Sequence, residues 1–305
     1  MDEPYDQKYR RVIDQLPFMT EVVRREFDPR QVVKLAEGVH RITAPNPGVM
    51  TGPGTNTFIV GSRELTVIDP GPAMDAHIDR IADFCGDRLQ QILLTHTHPD
   101  HSPGAARLHR LTGAPVMGSP VQTATVYDSS VALNHPLVGG DRLVVSGEYS
   151  LQVIATPGHV VNHLCYLLEN PCWLFAGDMV MDGSTVVIAP PDGDMEAYIS
   201  SLVELQGIKI DAIAPAHGRL IGDCAAYLAG LVEHRMMREQ KVVAGLQKLS
   251  SASLTELLPV AYDDVPEVLH QVAALSLEAH LLKLEKDGGV SRIAGSPDVW
   301  SVRNT

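Results

Sequence analysis

The sequence predicts an α/β fold, a layered α/β sandwich over most of the chain followed by a helical segment with a winged-helix-like outline. Three observations carry that prediction. Short apolar, β-branched runs separated by Gly, Pro and Asn recur between Gly38 and Pro215. Helical spacings alternate with them, the pattern of a sheet covered by helices. Near Cys224 the pattern changes, and long helical periodicities run toward the C-terminus.

The first strands are Val39-His40-Arg41-Ile42, Thr57-Phe58-Ile59-Val60 and Leu65-Thr66-Val67-Ile68-Asp69. Residues 75–84 then place Ile78, Ile81, Ala82 and Phe84 at helical spacing and lead into Ile92-Leu93-Leu94, an apolar run of buried-strand length. A helix over 103–111 and the strand Pro115-Val116-Met117 repeat the unit. After a polar loop come strands at 142–145, 151–155, 164–168 and 172–176, an amphipathic helix at 195–205, and the strand Ala212-Ile213-Ala214-Pro215. Helices over 225–249, 254–262 and 266–284 follow, then Lys286-Asp287-Gly288-Gly289-Val290 and a strand-like tail to Val302. Helix, helix and a Gly-turned hairpin outline a small winged helix. The expected domains are 1–224, with an N-terminal extension over 1–30, and 225–305.

At roughly 150 residues per domain, a chain of 305 residues holds about two and buries a core without disulfides. Its 45% hydrophobic and 20% charged residues exclude disorder, collagen-like repeats and coiled coil. Lys plus Arg is 24 against 37 for Asp plus Glu, a net charge of −13. Residues 225–305 carry −2 of it, with eight basic and ten acidic side chains, which leaves −11 on the rest. That balance disfavours a phosphate-tracking surface, since nonspecific nucleic-acid affinity comes from Lys and Arg releasing counterions; a small local RNA site is the form that remains. The C-terminal segment lacks a basic recognition helix and reads as a packing cap or homodimer surface. Cys85, Cys165, Cys172 and Cys224 form no C-x-x-C pair and read as reduced thiols. The acidic N-terminus has no signal-peptide pattern, and no apolar stretch approaches a membrane span. A soluble cytoplasmic enzyme without a membrane partner is the expectation.

The sharpest feature is Thr95-His96-Thr97-His98-Pro99-Asp100-His101, directly after the apolar run 92–94. In extended backbone His96 and His98, two apart, point the same way and can share one cation, while a turn at Pro99 aims Asp100 and His101 at a neighbouring position. Imidazole and carboxylate without thiolate suit Zn²⁺ or a similar divalent ion. Two metals need more ligands than one loop supplies. His159 follows the strand 151–155 in Thr156-Pro157-Gly158-His159, Asp178 follows 172–176 in Phe175-Ala176-Gly177-Asp178, and His217 follows 212–214 in Pro215-Ala216-His217-Gly218. Each alone would read as a surface or capping residue. On successive strand ends they read as ligands. His109, His135, His234, His270 and His280 fit no ligand motif, the last two reading as structural or surface residues on a helix.

These motifs, in this order, resemble the metallo-β-lactamase superfamily over about residues 30–222. The resemblance implies an αββα sandwich with a dinuclear metal site at one edge of its sheets. It implies that His96, His98 and His159 hold one Zn²⁺, that Asp100, His101 and His217 hold a second, and that Asp178 bridges them, with iron or manganese as alternative ions. Asp69, in Val67-Ile68-Asp69-Pro70-Gly71, matches the family's early Asp that orients a metal-bound His from behind. His163 matches a second His after the Gly-His motif. Gly54-Thr55-Asn56-Thr57, Thr95-His96-Thr97-His98 and a C-terminal winged helix over 254–302 are similar to the β-lactamase-like protein 2 subgroup, which includes single-stranded RNA endonucleases, with thioesterases of polyketide assembly among related sequences. Pro99, where a small or polar residue or His is usual, and Ala216 of Pro215-Ala216-His217-Gly218, where Pro-Gly-His-Gly is common, depart from the family pattern without removing a ligand.

A zinc pair lowers the pKa of a water toward about 7, so a nucleophile forms without Ser or Cys, and Asp100 would orient it and accept its proton. The leading expectation is a hydrolase of a small acyl substrate, a thioester, ester, lactone or lactam, which suits the acidic surface. An endoribonuclease would need local Arg or stacking aromatics, for which Arg107 and Arg110 are the nearest cations and the chain offers 15 Phe, Trp and Tyr in all. An iron-dependent sulfur dioxygenase and a non-catalytic winged-helix regulator are the remaining classes.

Overall fold

The computed structural model describes residues 19–120, 131–145, 147, 149–295 and 297–303. Most of the expected N-terminal extension and the middle of the loop between Gly118 and Gly140 lie outside the described residues. The described elements are α1 (Glu21–Glu26), β1 (Val33–Ala36), β2 (Val39–Thr43), β3 (Asn56–Gly61), β4 (Leu65–Ile68), α2 (Asp75–Cys85), β5 (Leu89–Leu93), α3 (Gly104–Thr112), β6 (Val116–Gly118), β7 (His135–Pro136), β8 (Arg142–Val145), β9 (Tyr149–Ala155), β10 (Leu164–Glu169), β11 (Cys172–Gly177), α4 (Met195–Gln206), β12 (Ala212–Pro215), α5 (Cys224–Leu249), β13 (Ala252–Ser253), α6 (Leu254–Ala261), α7 (His270–Lys286), β14 (Val290–Ile293) and β15 (Val299–Val302). The chain divides into two compact units.

The first unit comprises the described residues up to Ala155 together with Asn162–Ser184 and Ile210–Gly222. It holds two mixed sheets, ordered β1-β2-β3-β4-β5-β6-β7 and β12-β11-β10-β9-β8 among the described residues. β1 to β4 pair antiparallel, and β4, β5 and β6 run parallel because α2 and α3 carry the chain back between them. The sheets face each other across Val39, Phe58, Val60, Ile68 and Leu93 on one side and Leu151, Val153, Leu164, Tyr166, Leu168 and Phe175 on the other. The Phe58 and Phe175 rings meet there at 5.1 Å. The opposite face of the first sheet packs on α2 and α3 through Ile42, Ile59, Val67, Ile78, Ile81, Ala105 and Leu108. With both faces covered, β3 and β4 are buried throughout, so Phe58-Ile59-Val60 and Val67-Ile68 read as continuous apolar runs rather than alternating ones.

The second unit comprises Thr156–Val161, Thr185–Lys209 and the described residues from Asp223 onward. Val242, Leu246, Leu257, Leu277, Leu281, Val290 and Trp300 form the core of its C-terminal part. A three-stranded sheet, β13-β15-β14, closes it, with β14 and β15 as an antiparallel hairpin; Gly288 and Gly289, expected at its turn, lie instead between α7 and β14. Ser253 and Glu256 form a reciprocal capping box that starts α6.

Several boundaries differ from expectation. The third C-terminal helix starts at His270 rather than Pro266, because Pro266 is extended (ψ 136°) and only a 3₁₀ turn, Glu267–Leu269, lies between. β1 and α1 were not expected. β1 is a four-residue strand with no fully buried position, and α1 has six residues and no buried face, so neither carries a periodic signal. β7 adds a two-residue strand whose Pro136 has no N–H to give a further neighbour.

Candidate metal centre

The loop after β5 is fixed from behind by Asp69, the residue that follows β4. The Asp69 carboxylate accepts the Thr95 N–H (2.8 Å), the Thr95 hydroxyl (2.7 Å) and the His101 Nδ1–H (2.9 Å). Asp69 sits at φ 49°, a strained left-handed conformation that three buried hydrogen bonds hold in place. The Gly71 N–H donates to His101 O and the Gly104 N–H to Gly71 O, both at 2.9 Å, so both ends of the loop are tied to the turn after β4. Pro99 does form a turn, closed by His101 N–H donating to His98 O at 3.0 Å.

The tautomers follow from these partners. Thr95 Oγ1 spends its proton on Asp69 and so accepts from His96 Nδ1 (3.0 Å), which turns His96 Nε2 toward His98 Nδ1, 3.0 Å away. His101 Nδ1 is committed to Asp69, and His217 Nδ1 faces Gly54 O at 3.4 Å, so each presents Nε2. Fixing the far nitrogen on an oxygen acceptor is how a protein orients a histidine ligand.

Those nitrogens meet two carboxylates. Asp100 Oδ2 lies 3.3 Å from His101 Nε2 and 3.4 Å from His217 Nε2, while Asp178 Oδ1 lies 3.4 and 3.2 Å from the same two atoms. Donor atoms bound at about 2.0–2.1 Å in a tetrahedron stand roughly 3.3 Å apart. His96, His98 and Asp178 also offer ligand atoms within 4.8 Å of one another, as do Asp100, His101 and His217. His101 Nε2 is buried and, beyond these two carboxylate contacts, has no hydrogen-bond partner, so it is placed to share a cation with them. The donor set and its spacing thus fit a metal.

Asp178 is reached through Gly177, at φ 49°, where a Cβ would stand 2.7 Å from both His163 Nε2 and Thr95 Oγ1. His163 Nε2 accepts the Asp178 N–H at 3.2 Å, which gives it a definite place beneath the site. His159 lies on the 156–161 segment between β9 and β10, grouped with the second unit, and its Nδ1 donates to Val187 O at 2.7 Å.

The polar start of β3 supports the site through residues that no ligand motif contains. Asn56 Nδ2 donates to Pro215 O (3.1 Å) and Gly218 O (2.9 Å), and its backbone N–H donates to Ala216 O, so it holds the His217 turn. Thr57 Oγ1 donates to Asp69 O (2.7 Å) and accepts from the His77 ring (3.1 Å). Three polar residues heading an otherwise apolar strand are the signal that could have found them.

A family model described as the metallo-beta-lactamase superfamily matches residues 50–217, more than half of the chain. The chain belongs to the metallo-beta-lactamase superfamily. A second model, the beta-lactamase associated winged helix domain, matches residues 253–300. A beta-lactamase-like protein 2 homolog from Drosophila melanogaster is 31% identical over 291 residues, covering 88% of this chain and 94% of its own. The lactamase-like protein nscB of Neosartorya fischeri is 32% identical over 283 residues, covering 86% and 83%. The crystal structure of a beta-lactamase domain protein from Burkholderia ambifaria superposes with a TM-score of 0.77 at 19% identity, over 90% of this chain and 94% of that one, and shows the shared fold. Fold and relatives are those of a metal-dependent hydrolase with a C-terminal winged helix.

The His/Asp cluster is electrostatically poised to hold a cation. Burial opposes charge on His101, yet the Asp100 and Asp178 carboxylates outweigh it and hold its pKa well above 6.5. His217 is likewise opposed by burial and raised by Asp178, to about 9. Burial works against the Asp178 carboxylate too, and the two rings outweigh it, keeping it well below 3.8. His96, buried beside other imidazoles, is held neutral well below 6.5. The buried Asp178 and half-buried Asp100 carboxylates therefore demand positive charge, which protons or a divalent ion supply. Of the remaining histidines, His280 is buried in the second unit, while His109 and His270 bond backbone oxygens. The four cysteines are free thiols.

Proposed function

We propose that this chain is a dinuclear zinc hydrolase of a small acyl substrate, a thioester, ester, lactone or lactam. The observation that carries the reading is that the Nε2 atoms of His101 and His217 each stand 3.2–3.4 Å from both the Asp100 and the Asp178 carboxylate. His101, His217 and Asp100 would hold one ion, His96, His98 and His159 the other, and Asp178 would serve both. His159 is tethered four residues from the end of β9 and five from the start of β10, and its Nδ1 bond to Val187 O leaves Nε2 to ligate. Zn²⁺ bound there supplies a nucleophile from water at neutral pH and polarises the scissile carbonyl; iron or manganese suits the same donors. Asp100, half-buried, would orient the attacking water and take its proton.

The acidic surface supports a small acyl substrate over RNA. Arg107, the nearest cation the endoribonuclease reading invoked, is committed to Asp79 at 2.6 Å on α2. The test is elemental analysis with a panel of thioester, lactone, β-lactam and single-stranded RNA substrates, with and without chelator. The expected result is about two zinc per chain and chelator-sensitive acyl cleavage. One iron and no hydrolysis would move the reading to the dioxygenase, and RNA cleavage alone to the endoribonuclease.

A further inference from the structure

We propose that Thr55, itself locked by Asn46, is a positioning residue that sets the Asp100 carboxylate for the metal held with His101 and His217. The inference rests on the dinuclear reading above and deepens it. Thr55 is fully buried just ahead of β3. Asn46 grips it twice: Nδ2 donates to Thr55 Oγ1 and Oδ1 accepts the Thr55 N–H, each at 2.9 Å. An amide NH₂ can only donate, so Thr55 Oγ1 accepts that bond and its single proton is left for one other partner. That partner is Asp100 Oδ2, at 3.1 Å.

Oδ2 is also the oxygen 3.3 Å from His101 Nε2 and 3.4 Å from His217 Nε2. The same oxygen thus accepts the Thr55 hydroxyl and lies near both ring nitrogens. The backbone of Thr55 is as tightly held: its carbonyl accepts the Ala44 N–H at 2.7 Å, and the residue forms an isolated bridge with His217. One buried threonine thus ties an oxygen ligand to the strand segment beside the histidine ligand opposite it. Asp100 is the only carboxylate of the cluster on a loop with an exposed neighbour, Pro99, so it gains most from an external tether.

Two near-isosteric changes separate positioning from packing. Thr55→Val keeps the volume and removes the hydroxyl, whereas Thr55→Ser keeps the hydroxyl and removes the methyl. Metal-free protein is titrated with Zn²⁺ against a chromogenic chelator, and the number and affinity of the ions are read directly. We expect wild type to take up two ions. In Thr55→Val one of them is weakened by about 10–100-fold while the other is unchanged, Thr55→Ser stays close to wild type, and Asn46→Ala shows a smaller loss of the same ion. The unchanged ion reports that the variant is folded. Equal affinities in Thr55→Val and wild type overturn the proposal, as does a loss in Thr55→Ser equal to that in Thr55→Val, or a loss of both ions together. A wild-type protein that takes up no Zn²⁺ overturns the dinuclear reading itself, and the inference with it.

Discussion

His77 lies on the buried face of α2 and gives the Thr57 hydroxyl its second hydrogen bond. Burial, with Arg80 adding to it, lowers its pKa to about 3. The unfolded chain takes up a proton near pH 6.5 that the folded chain refuses until about pH 3, so this group's contribution is complete above 6.5 and is lost as pH falls. Unfolding free energy should therefore drop by up to about 1.4 kcal/mol per pH unit across that window on this account. His77→Gln should flatten the decline by one proton in urea melts at pH 4, 5 and 6. Gly177→Ala should cost about 1–3 kcal/mol from the positive φ alone, and the added methyl would displace His163 or Thr95. Its mark beyond lowered stability is a lowered metal content, read by elemental analysis. His96→Ala or Asp178→Ala should lose metal and turnover together. A variant with full turnover and a full complement of metal would refute the ligand assignment.

Each proposed ligand of the first unit follows the end of a strand, and those strands are held in register by groups that are themselves buried and satisfied. Tyr166 on β10 reaches across the sandwich to donate to Leu94 O at 2.6 Å, one residue ahead of the ligand loop. Beside it Phe58 of β3 packs on Phe175 of β11. Phe58→Ala should cost about 3–5 kcal/mol by leaving a cavity between the sheets, measured by thermal or urea unfolding. In the second unit, removing the Ser253 cap by Ser253→Ala should cost about 1 kcal/mol with no change in metal content. The strands, α2, α3 and the C-terminal helices were legible in sequence because each follows one hydrophobic period over several residues. β1, β7 and α1 were not, since short or half-exposed elements bury too little to leave a pattern.

Over the whole molecule, the charge of −13 is concentrated outside the winged-helix segment, and α3, which follows the ligand loop, answers its Arg107 with acidic partners on α2. Single-stranded RNA should bind weakly at physiological salt in a filter assay, with little salt dependence. No helix among the described residues is long and apolar enough to cross a membrane. Because a metal binds only the folded arrangement, chelation should lower the melting temperature, and restoring Zn²⁺ should recover it.

The sequence by itself determined which residues could serve as ligands. The spacing of His96, His98, Asp100 and His101, and a His or Asp after each later strand, are local facts of composition and period. It also determined the succession of sandwich and helical segment, since hydrophobic period is a local property. Only the tertiary structure decided which nitrogen of His101 and of His217 faces the site, because that depends on an acceptor far away in the chain: Asp69 for His101, Gly54 O for His217. It alone brought Thr55 to Asp100, 45 residues on, and Asn56 to Gly218, 162 residues on. Hydrogen bonds between buried side chains at such separations leave no periodic trace, since a single polar residue at each end is enough to make them.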